Sequence, residues 1–148
     1  MLRLSKLADY AAVLLVQLDR HDELATSGVL AGETGVPEPT VAKILKGLAG
    51  GGFVVSQRGA RGGYRLARSL DTISIAQVIG AMDGPIAVTT CVEGRVCEAS
   101  GLCALSGNWD MVNDAIVRTL DSITLADMGR GRRGADHARA PAGASATL

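Results

Sequence analysis

The chain has 148 residues, which is enough for one domain with a buried core or for one domain with a short accessory segment. It has few aromatic side chains (one Trp, two Tyr and one Phe), so the core must be built chiefly from aliphatic residues. The formal net charge is zero, no apolar run could span a bilayer, and the N-terminal residues lack the apolar core of a secretory signal. We therefore expect a cytoplasmic protein that does not enter a membrane.

Charge is distributed unevenly along this neutral chain. No Asp or Glu lies between residues 40 and 68, yet that stretch contains the basic residues Lys43, Lys46, Arg58, Arg61, Arg65 and Arg68. A surface of one sign on a neutral protein indicates a polyanionic partner such as nucleic acid. The plainer alternative is a solvated basic surface without a partner, which the repulsion between crowded like charges disfavours.

Three helices are predicted before residue 50. Apolar residues recur at helical spacing over residues 5–20, and Asp9 lies on the other side of that first helix, as an exposed acid near its N-terminus would. Thr26 and Ser27 offer N-caps for a short helix over residues 28–33, which Gly35 ends. A third helix follows the prolines at 37 and 39 and runs to about residue 49, with its core face formed by Val41, Ile44, Leu45 and Leu48.

The second and third of these helices form a helix-turn-helix pattern, because they are short, are joined by a glycine turn, and the later one is basic. In such motifs the later helix enters the DNA major groove. The outward side of this helix carries Thr40, Lys43 and Lys46. We predict that Thr40 and Lys43 contact base edges and that Lys46 contacts phosphate.

A β-hairpin is predicted directly after the third helix, with strands over residues 53–55 and 64–66. Its tip, residues 56–63, is rich in glycine and carries Arg58 and Arg61. A hairpin in this position is a wing, and its arginines can reach a minor groove or the flanking phosphates. A nucleotide-binding loop is the alternative, and it is disfavoured because the Lys-Ser/Thr pair and the following helix of a P-loop are missing.

Two further helices are predicted. Ser74 and Gln77 form a capping box for a fourth helix that ends at Gly84 and Pro85. A later helix starts near Asn108, has one apolar stripe and is followed by a last turn over residues 124–128; the stripe consists of Trp109, Val112, Ile116 and Leu120. We interpret the stripe as a dimer seam rather than core packing, because DNA readers of this type usually work as dimers. Residues 129–148 lack an apolar period and are predicted to be a disordered tail.

All three cysteines, Cys91, Cys97 and Cys103, lie in one polar, glycine-containing stretch with equal gaps of five residues. This spacing cannot place them on one helix face, so we predict a solvent-side loop that can fold three thiolates toward one point. Thiolates suit iron–sulfur clusters, zinc and cuprous copper. The alternatives are three small buried side chains, or a disulfide that would leave one thiol over.

The cysteines are compatible with two other functions. A metal-free redox switch would form a disulfide or a sulfenic acid at Cys91, Cys97 or Cys103. An enzyme with a cysteine nucleophile would need a nearby general base, and the histidines are only His21 and one in the predicted tail, His137. We therefore expect no enzymatic activity.

Over about residues 1–128 the chain resembles the Rrf2 family of winged-helix regulators, which includes the regulators IscR and NsrR. The motifs that carry the resemblance are LSKLADY at 4–10, PEPTVAKILK at 37–46, RGARGGY at 58–64, and the three cysteines followed by Trp109. They are most similar to the branch that regulates SUF iron–sulfur assembly. The resemblance implies a mainly α fold with a small β-hairpin wing, a long C-terminal dimerisation helix, a homodimer, and repression of assembly genes from a double-stranded DNA operator.

The resemblance also implies an iron–sulfur cluster, either [2Fe-2S] or [4Fe-4S], held by Cys91, Cys97 and Cys103. IscR-like members carry a histidine three residues after the third cysteine, where this chain has Ser106. NsrR-like members take the fourth ligand from an aspartate in the partner's first helix, and that position matches Asp9. The implied organisation is a winged helix-turn-helix over 1–84, a cluster loop over 85–106, a dimerisation helix over 107–128 and the tail over 129–148.

Overall fold

The computed structural model describes residues 2–99 and 101–130. Its elements are α1 (Lys6–Leu18), α2 (Ser27–Thr34), α3 (Glu38–Gly50), β1 (Val54–Gln57), β2 (Gly63–Leu66), a 3-10 turn (Leu70–Thr72), α4 (Ile75–Asp83), α5 (Trp109–Asp121) and α6 (Leu125–Arg130). The protein is mainly helical with one small antiparallel hairpin, which confirms the predicted fold class. Most of the predicted tail, including His137, lies outside the described residues.

The core is built around α1, which packs against α2, α3, α4, α6 and β2. Ala11, Leu14 and Leu15 of this helix are completely buried. The predicted core face of α3 is also confirmed, since each of its four apolar residues is at most 1% exposed. Burying these aliphatic side chains supplies the main driving force for folding.

Local capping explains where the helices begin. The Ser5 hydroxyl accepts a hydrogen bond from the Ala8 N–H at 3.0 Å, and the Thr26 hydroxyl accepts one from the Val29 N–H at 3.2 Å. Gly35 ends α2 with a φ of 75°, a left-handed conformation that suits glycine. The capping box of Ser74 and Gln77 is present at the start of α4, as predicted.

The hairpin is held against the helices by a contact that the sequence did not predict. Ala25, in the connection between α1 and α2, exchanges two backbone hydrogen bonds with Tyr64 of β2, at 2.9 and 2.8 Å. Gly63 permits this approach, because a Cβ there would lie 2.8 Å from the Ala25 carbonyl oxygen. The hairpin is therefore fixed to the helix-turn-helix at its base.

The C-terminal helices return to the start of α4. The Leu125 N–H donates to the Ile73 carbonyl at 2.9 Å, and Leu125 is completely buried. Thr124 and Asp127 cap each other's backbone N–H groups, and the Thr124 backbone N–H lowers the pKa of the Asp127 carboxyl. This anchored helix continues to Arg130 and so includes the first two residues of the predicted tail, Gly129 and Arg130. No helix among the described residues has the length and apolar character needed to cross a membrane.

The apolar stripe of α5 is divided between two environments. Leu120 is half-buried and packs against the core. At the other end, Trp109 is 36% exposed, Val112 is 39% exposed and the neighbouring Met111 is 69% exposed. The stripe therefore serves core packing at its C-terminal end and leaves an apolar surface at its N-terminal end.

Candidate DNA-binding surface and cysteine segment

Helix α3 presents the predicted DNA-contacting residues on the side opposite its buried face. Lys43 and Lys46 are exposed, and Thr40 is half-buried. The N-terminal turn of α3 is joined to α2 by the Ser27 hydroxyl, which donates to the Glu38 carboxylate at 3.3 Å. The two helices of the motif are thus connected through side chains as well as through the turn at Gly35.

The wing tip carries Arg58 and Arg61, both of which are exposed. Gly59 takes a φ of 117°, and Gly62 donates its N–H to the Gly59 carbonyl at 2.9 Å. A Cβ at Gly62 would lie 2.3 Å from the Gln57 carbonyl oxygen, so the tight tip requires glycine there. The glycines therefore shape the turn that displays the two arginines.

The basic side chains of α3 and the wing form no ion pairs with other described residues. Within residues 2–99 and 101–130 the salt bridges join His21 to Glu33, Arg95 to Glu93 and Arg130 to Asp127, so none involves α3 or the wing. Lysine and arginine side chains left in solvent in this way can bind phosphate groups. The DNA-binding roles of Thr40, Lys43, Lys46, Arg58 and Arg61 remain predictions.

Arg68, which belongs to the same basic stretch, has a different environment. Its guanidinium donates to the Thr72 carbonyl at 2.6 Å and to the Gln77 side chain at 3.3 Å. It also lies over the Phe53 ring, 5.5 Å from the ring centre. These contacts join the end of the hairpin to the start of α4, so Arg68 has a structural role.

The cysteine segment, residues 91–103, contains neither helix nor strand where it is described, in agreement with the predicted loop. Gly94 takes a positive φ of 74° and closes a turn by donating its N–H to the Cys91 carbonyl at 3.3 Å. Cys91 and Cys103 are exposed, Cys97 is half-buried, and all three are free thiols. The Cys91 sulfur lies 3.0 Å from the Thr89 hydroxyl oxygen. The segment is therefore accessible to solvent, and the alternative of three buried cysteines is wrong.

The chemistry of these donors suits an iron–sulfur cluster, since three unbridged thiols lie in one short segment. The described side chains, however, are not arranged as a metal site. Across the described parts of the chain, no three Cys, His, Asp or Glu side chains are placed to hold a metal ion. Asp9 is exposed on α1, and Ser106 donates its backbone N–H to the Cys103 carbonyl at 3.2 Å. Ligation by Cys91, Cys97, Cys103 and Asp9 stays a prediction.

Asn113 is a buried polar residue that holds the chain just before the cysteine segment, and the sequence did not predict this role. It is 6% exposed, and its side chain bonds to the Ile86 carbonyl and the Val88 N–H, both at 3.0 Å. A signal was available, because Asn113 lies four residues after Trp109 and three before Ile116, on the apolar stripe of α5. A polar side chain on an apolar helix face predicts a specific hydrogen-bonding role.

The profile of the Rrf2 family, described as an iron-dependent transcriptional regulator, matches residues 4–131. The chain belongs to the Rrf2 family. As a family member it is a transcriptional regulator with a helix-turn-helix and is not an enzyme. The family assignment agrees with the predicted helix-turn-helix and with the hairpin that follows it.

Individual relatives support the assignment over most of the chain. An HTH-type transcriptional regulator of Mycobacterium tuberculosis, Rv1287, is 34% identical over 137 residues, which cover 88% of this chain and 83% of the relative. The HTH-type transcriptional regulator IscR of Erwinia tasmaniensis is 29% identical over 129 residues, covering 86% and 78% respectively.

Solved Rrf2 structures show the same architecture. The global cysteine regulator CymR of B. subtilis has a TM-score of 0.70 and 26% identity, and the match covers 88% of this chain and 98% of CymR. IscR of T. potens has a TM-score of 0.70 and 28% identity, and covers 93% of both chains. Both matches cover most of this chain and most of the solved structure.

Proposed function

We propose that this Rrf2 protein is a homodimeric repressor that binds operator DNA through α3 and the wing and responds to the iron–sulfur status of the cell through its cysteine segment. The observation that carries the proposal is the exposed, ion-pair-free basic surface of α3 and the wing in a member of a regulator family. Because its partner is chromosomal DNA, we propose the cytoplasm as its place of action. The genes that we propose it controls are those for iron–sulfur assembly, in keeping with its similarity to the SUF regulator branch.

We divide the proposed DNA contacts between α3 and the wing. Thr40 and Lys43 lie where the side of α3 facing away from the core can enter a major groove, and they would contact base edges. Lys46 follows one turn later, and together with Arg58 and Arg61 it would neutralise phosphates or enter a minor groove. The wing is held in register with the helices by the Ala25 and Tyr64 backbone pair.

The homodimer is supported by the exposed apolar surface on α5. A groove of about 490 Å³ runs along the helix, lined by Met111, Val112, Ala115, Ile116, Thr119 and Leu120. Burying such a surface against the same surface of a second copy would give the two-fold symmetry that paired half-sites require. Half-sites one helical turn apart are separated by roughly 34 Å, so the geometry of this contact would set the fit to the operator.

The sensing group that we propose is an iron–sulfur cluster held by Cys91, Cys97 and Cys103, with Asp9 of the partner subunit as fourth ligand. When bound, such a cluster supplies iron whose ligation depends on iron supply and on oxidants. The chain's own contribution is an exposed segment that contains neither helix nor strand where it is described, and that can rearrange without disrupting the core. An oxygen ligand in place of a fourth thiolate would make the group easier to lose.

Anaerobic purification with iron and sulfide analysis tests this proposal. We expect a coloured protein containing iron and inorganic sulfide, and we expect Cys97→Ser to abolish both. Asp9→Ala should alter the visible spectrum or lower the iron content, whereas Asp110→Ala, an exposed first-turn aspartate of α5, serves as the matched control. An unchanged spectrum and iron content in Asp9→Ala would remove Asp9 from the ligand set.

A second candidate function is direct thiol sensing, which is favoured by the exposure of Cys91 and Cys103 and by the absence of a gathered metal site among the described residues. A peroxide would oxidise one thiolate to sulfenic acid and release hydroxide, and a second thiol would then displace water to form a disulfide. A colourless protein that contains no iron and changes its non-reducing gel mobility after peroxide treatment would favour this function over the cluster.

A further inference from the structure

Asn113 differs from every other residue of α5. It is the buried residue of that helix, although the rest of α5 is exposed or half-buried. Both ends of its amide are used: the nitrogen donates to the Ile86 carbonyl and the oxygen accepts from the Val88 N–H, each at 3.0 Å. A buried amide that satisfies two backbone groups of one segment fixes that segment in a single position.

The segment held in this way leads directly to the first cysteine. Val88 is three residues before Cys91, and Thr89 lies between them. The Thr89 hydroxyl oxygen is 3.0 Å from the Cys91 sulfur, and the Thr89 backbone carbonyl accepts a hydrogen bond from the Val92 N–H at 3.2 Å. A short chain of bonded groups therefore joins α5 to the Cys91 thiol. Networks of this kind can transmit a displacement when one of their ends changes state.

The apolar groove that we assign to the dimer borders Asn113 on the same helix. Met111 and Val112, immediately before Asn113, are exposed on it. A movement of residues 86–88 that pulls on the Asn113 amide therefore acts on the same turn of helix that meets the partner. Loss of only one of the two hydrogen bonds would leave a buried polar group unsatisfied, which favours two discrete arrangements over a gradual one.

We propose that Asn113 is the positioning residue that couples the state of the cysteine segment to α5 and, through the dimer, to the separation of the two α3 helices. This inference rests on the proposed function and identifies the residue that would connect its sensing segment to its DNA-binding helices. It does not depend on whether the cysteines carry a cluster or a disulfide, because both would act on Cys91 and the residues before it.

The test compares the response of DNA affinity in wild type, Asn113→Ala and a control. Ser74→Ala is the matched control, because Ser74 is also 6% exposed and also bonds to α5, through Asp121, but does not touch the cysteine segment. A duplex selected by the wild type from a random pool is titrated before and after ferrous iron and sulfide reconstitution, and before and after hydrogen peroxide. The readout is the ratio of the two dissociation constants.

We expect the effective treatment to change wild-type affinity by about tenfold. The ratio should fall toward one in Asn113→Ala and remain near the wild-type value in Ser74→Ala. A ratio of dissociation constants in Asn113→Ala equal to that of wild type would overturn the role of Asn113 and leave the proposed function intact. An equal fall of the ratio in both variants would do the same. If neither treatment alters wild-type affinity, the sensing function itself fails, and the coupling fails with it.

A measurement on the wild type keeps the proposal testable if Asn113→Ala does not fold. Hydrogen exchange of the Val88 amide, whose N–H is bonded to Asn113, is measured before and after the treatment that changes DNA affinity. We expect its protection to change together with that of the first two turns of α5. Protection at Val88 that stays constant while DNA affinity changes would overturn the proposal.

Discussion

The Ser74 hydroxyl donates a hydrogen bond of 2.7 Å to the Asp121 carboxylate, which joins the first residue before α4 to the last turn of α5. The same hydroxyl accepts the Gln77 N–H at 3.2 Å and so caps α4. One buried side chain therefore caps α4 and attaches the end of α5 to it.

Replacing Ser74 by alanine removes both interactions, so we expect the free energy of unfolding to fall by about 1–3 kcal/mol. Urea denaturation followed by circular dichroism measures the change. Ser69→Ala is the matched control, since Ser69 precedes the 3-10 turn without a side-chain capping bond and is exposed. Equal stability of Ser74→Ala and wild type would show that neither bond contributes.

The wing tip offers a second prediction. Gly62→Ala would place a Cβ 2.3 Å from the Gln57 carbonyl oxygen, so the turn must open and Arg61 must move. We expect DNA affinity to fall at least about tenfold, because displacing the arginine that we propose binds phosphate and straining the tip each cost about 1 kcal/mol or more. Fluorescence anisotropy with a labelled duplex measures the loss.

Gly80→Ala is the control for this substitution. Gly80 lies within α4, is exposed and has open space at its Cβ position, so alanine should stabilise the protein by about 0.5–1 kcal/mol and leave DNA binding unchanged. DNA affinity of Gly62→Ala equal to that of Gly80→Ala would contradict the role assigned to the wing tip.

Much of this fold could be predicted from the sequence because its signals are local. The periodicity that placed Val41, Ile44, Leu45 and Leu48 on one face of α3 and the capping box at Ser74 each depend on residues a few positions apart. The contacts that the sequence did not reveal join distant residues. Ala25 pairs with Tyr64, and Asn113 bonds to Val88, 25 residues earlier.

The cysteine segment shows the same limit for the site. Residue types and spacing identified three candidate ligands in a loop, and the loop is confirmed. Whether the three thiols meet at one ligand site depends on the turns between them, on a bound group and on a second chain. None of these produces a periodic pattern in the sequence, so the sequence could not predict it. In the sequence, Arg68 looks like the neighbouring free cations. Only its contacts with Phe53 and Thr72 in three dimensions distinguish it from them.

A pH-dependent contact links the end of α1 to α2. Glu33 accepts hydrogen bonds from His21 and Gln17, both at 2.8 Å, and the bond from His21 is the main cause that lowers the pKa of the Glu33 carboxyl below its ordinary value of 4.5. A lowered folded-state pKa means that this stabilisation is present above pH 4.5 and is lost as the pH falls through the folded-state value.

We therefore expect Glu33→Gln to unfold at a lower temperature than wild type at pH 7, with the difference shrinking as the pH falls below 4.5. Thermal denaturation between pH 7 and pH 3 measures both proteins. Glu23→Gln is the control, because Glu23 is exposed and no hydrogen bond of its side chain is found in the described structure. A difference between wild type and Glu33→Gln that is constant with pH would contradict the assignment.

The last prediction concerns Arg58, which is exposed at the wing tip and forms no salt bridge among the described residues. A phosphate-binding arginine releases a counterion when it binds, so Arg58→Ala should weaken binding to all duplex sequences and reduce the salt slope by about one per subunit. Titrations at several salt concentrations measure the slope for selected and random duplexes. Arg118→Ala, an exposed arginine on α5, should leave the slope unchanged, and a wild-type slope in Arg58→Ala would exclude a phosphate contact at this position.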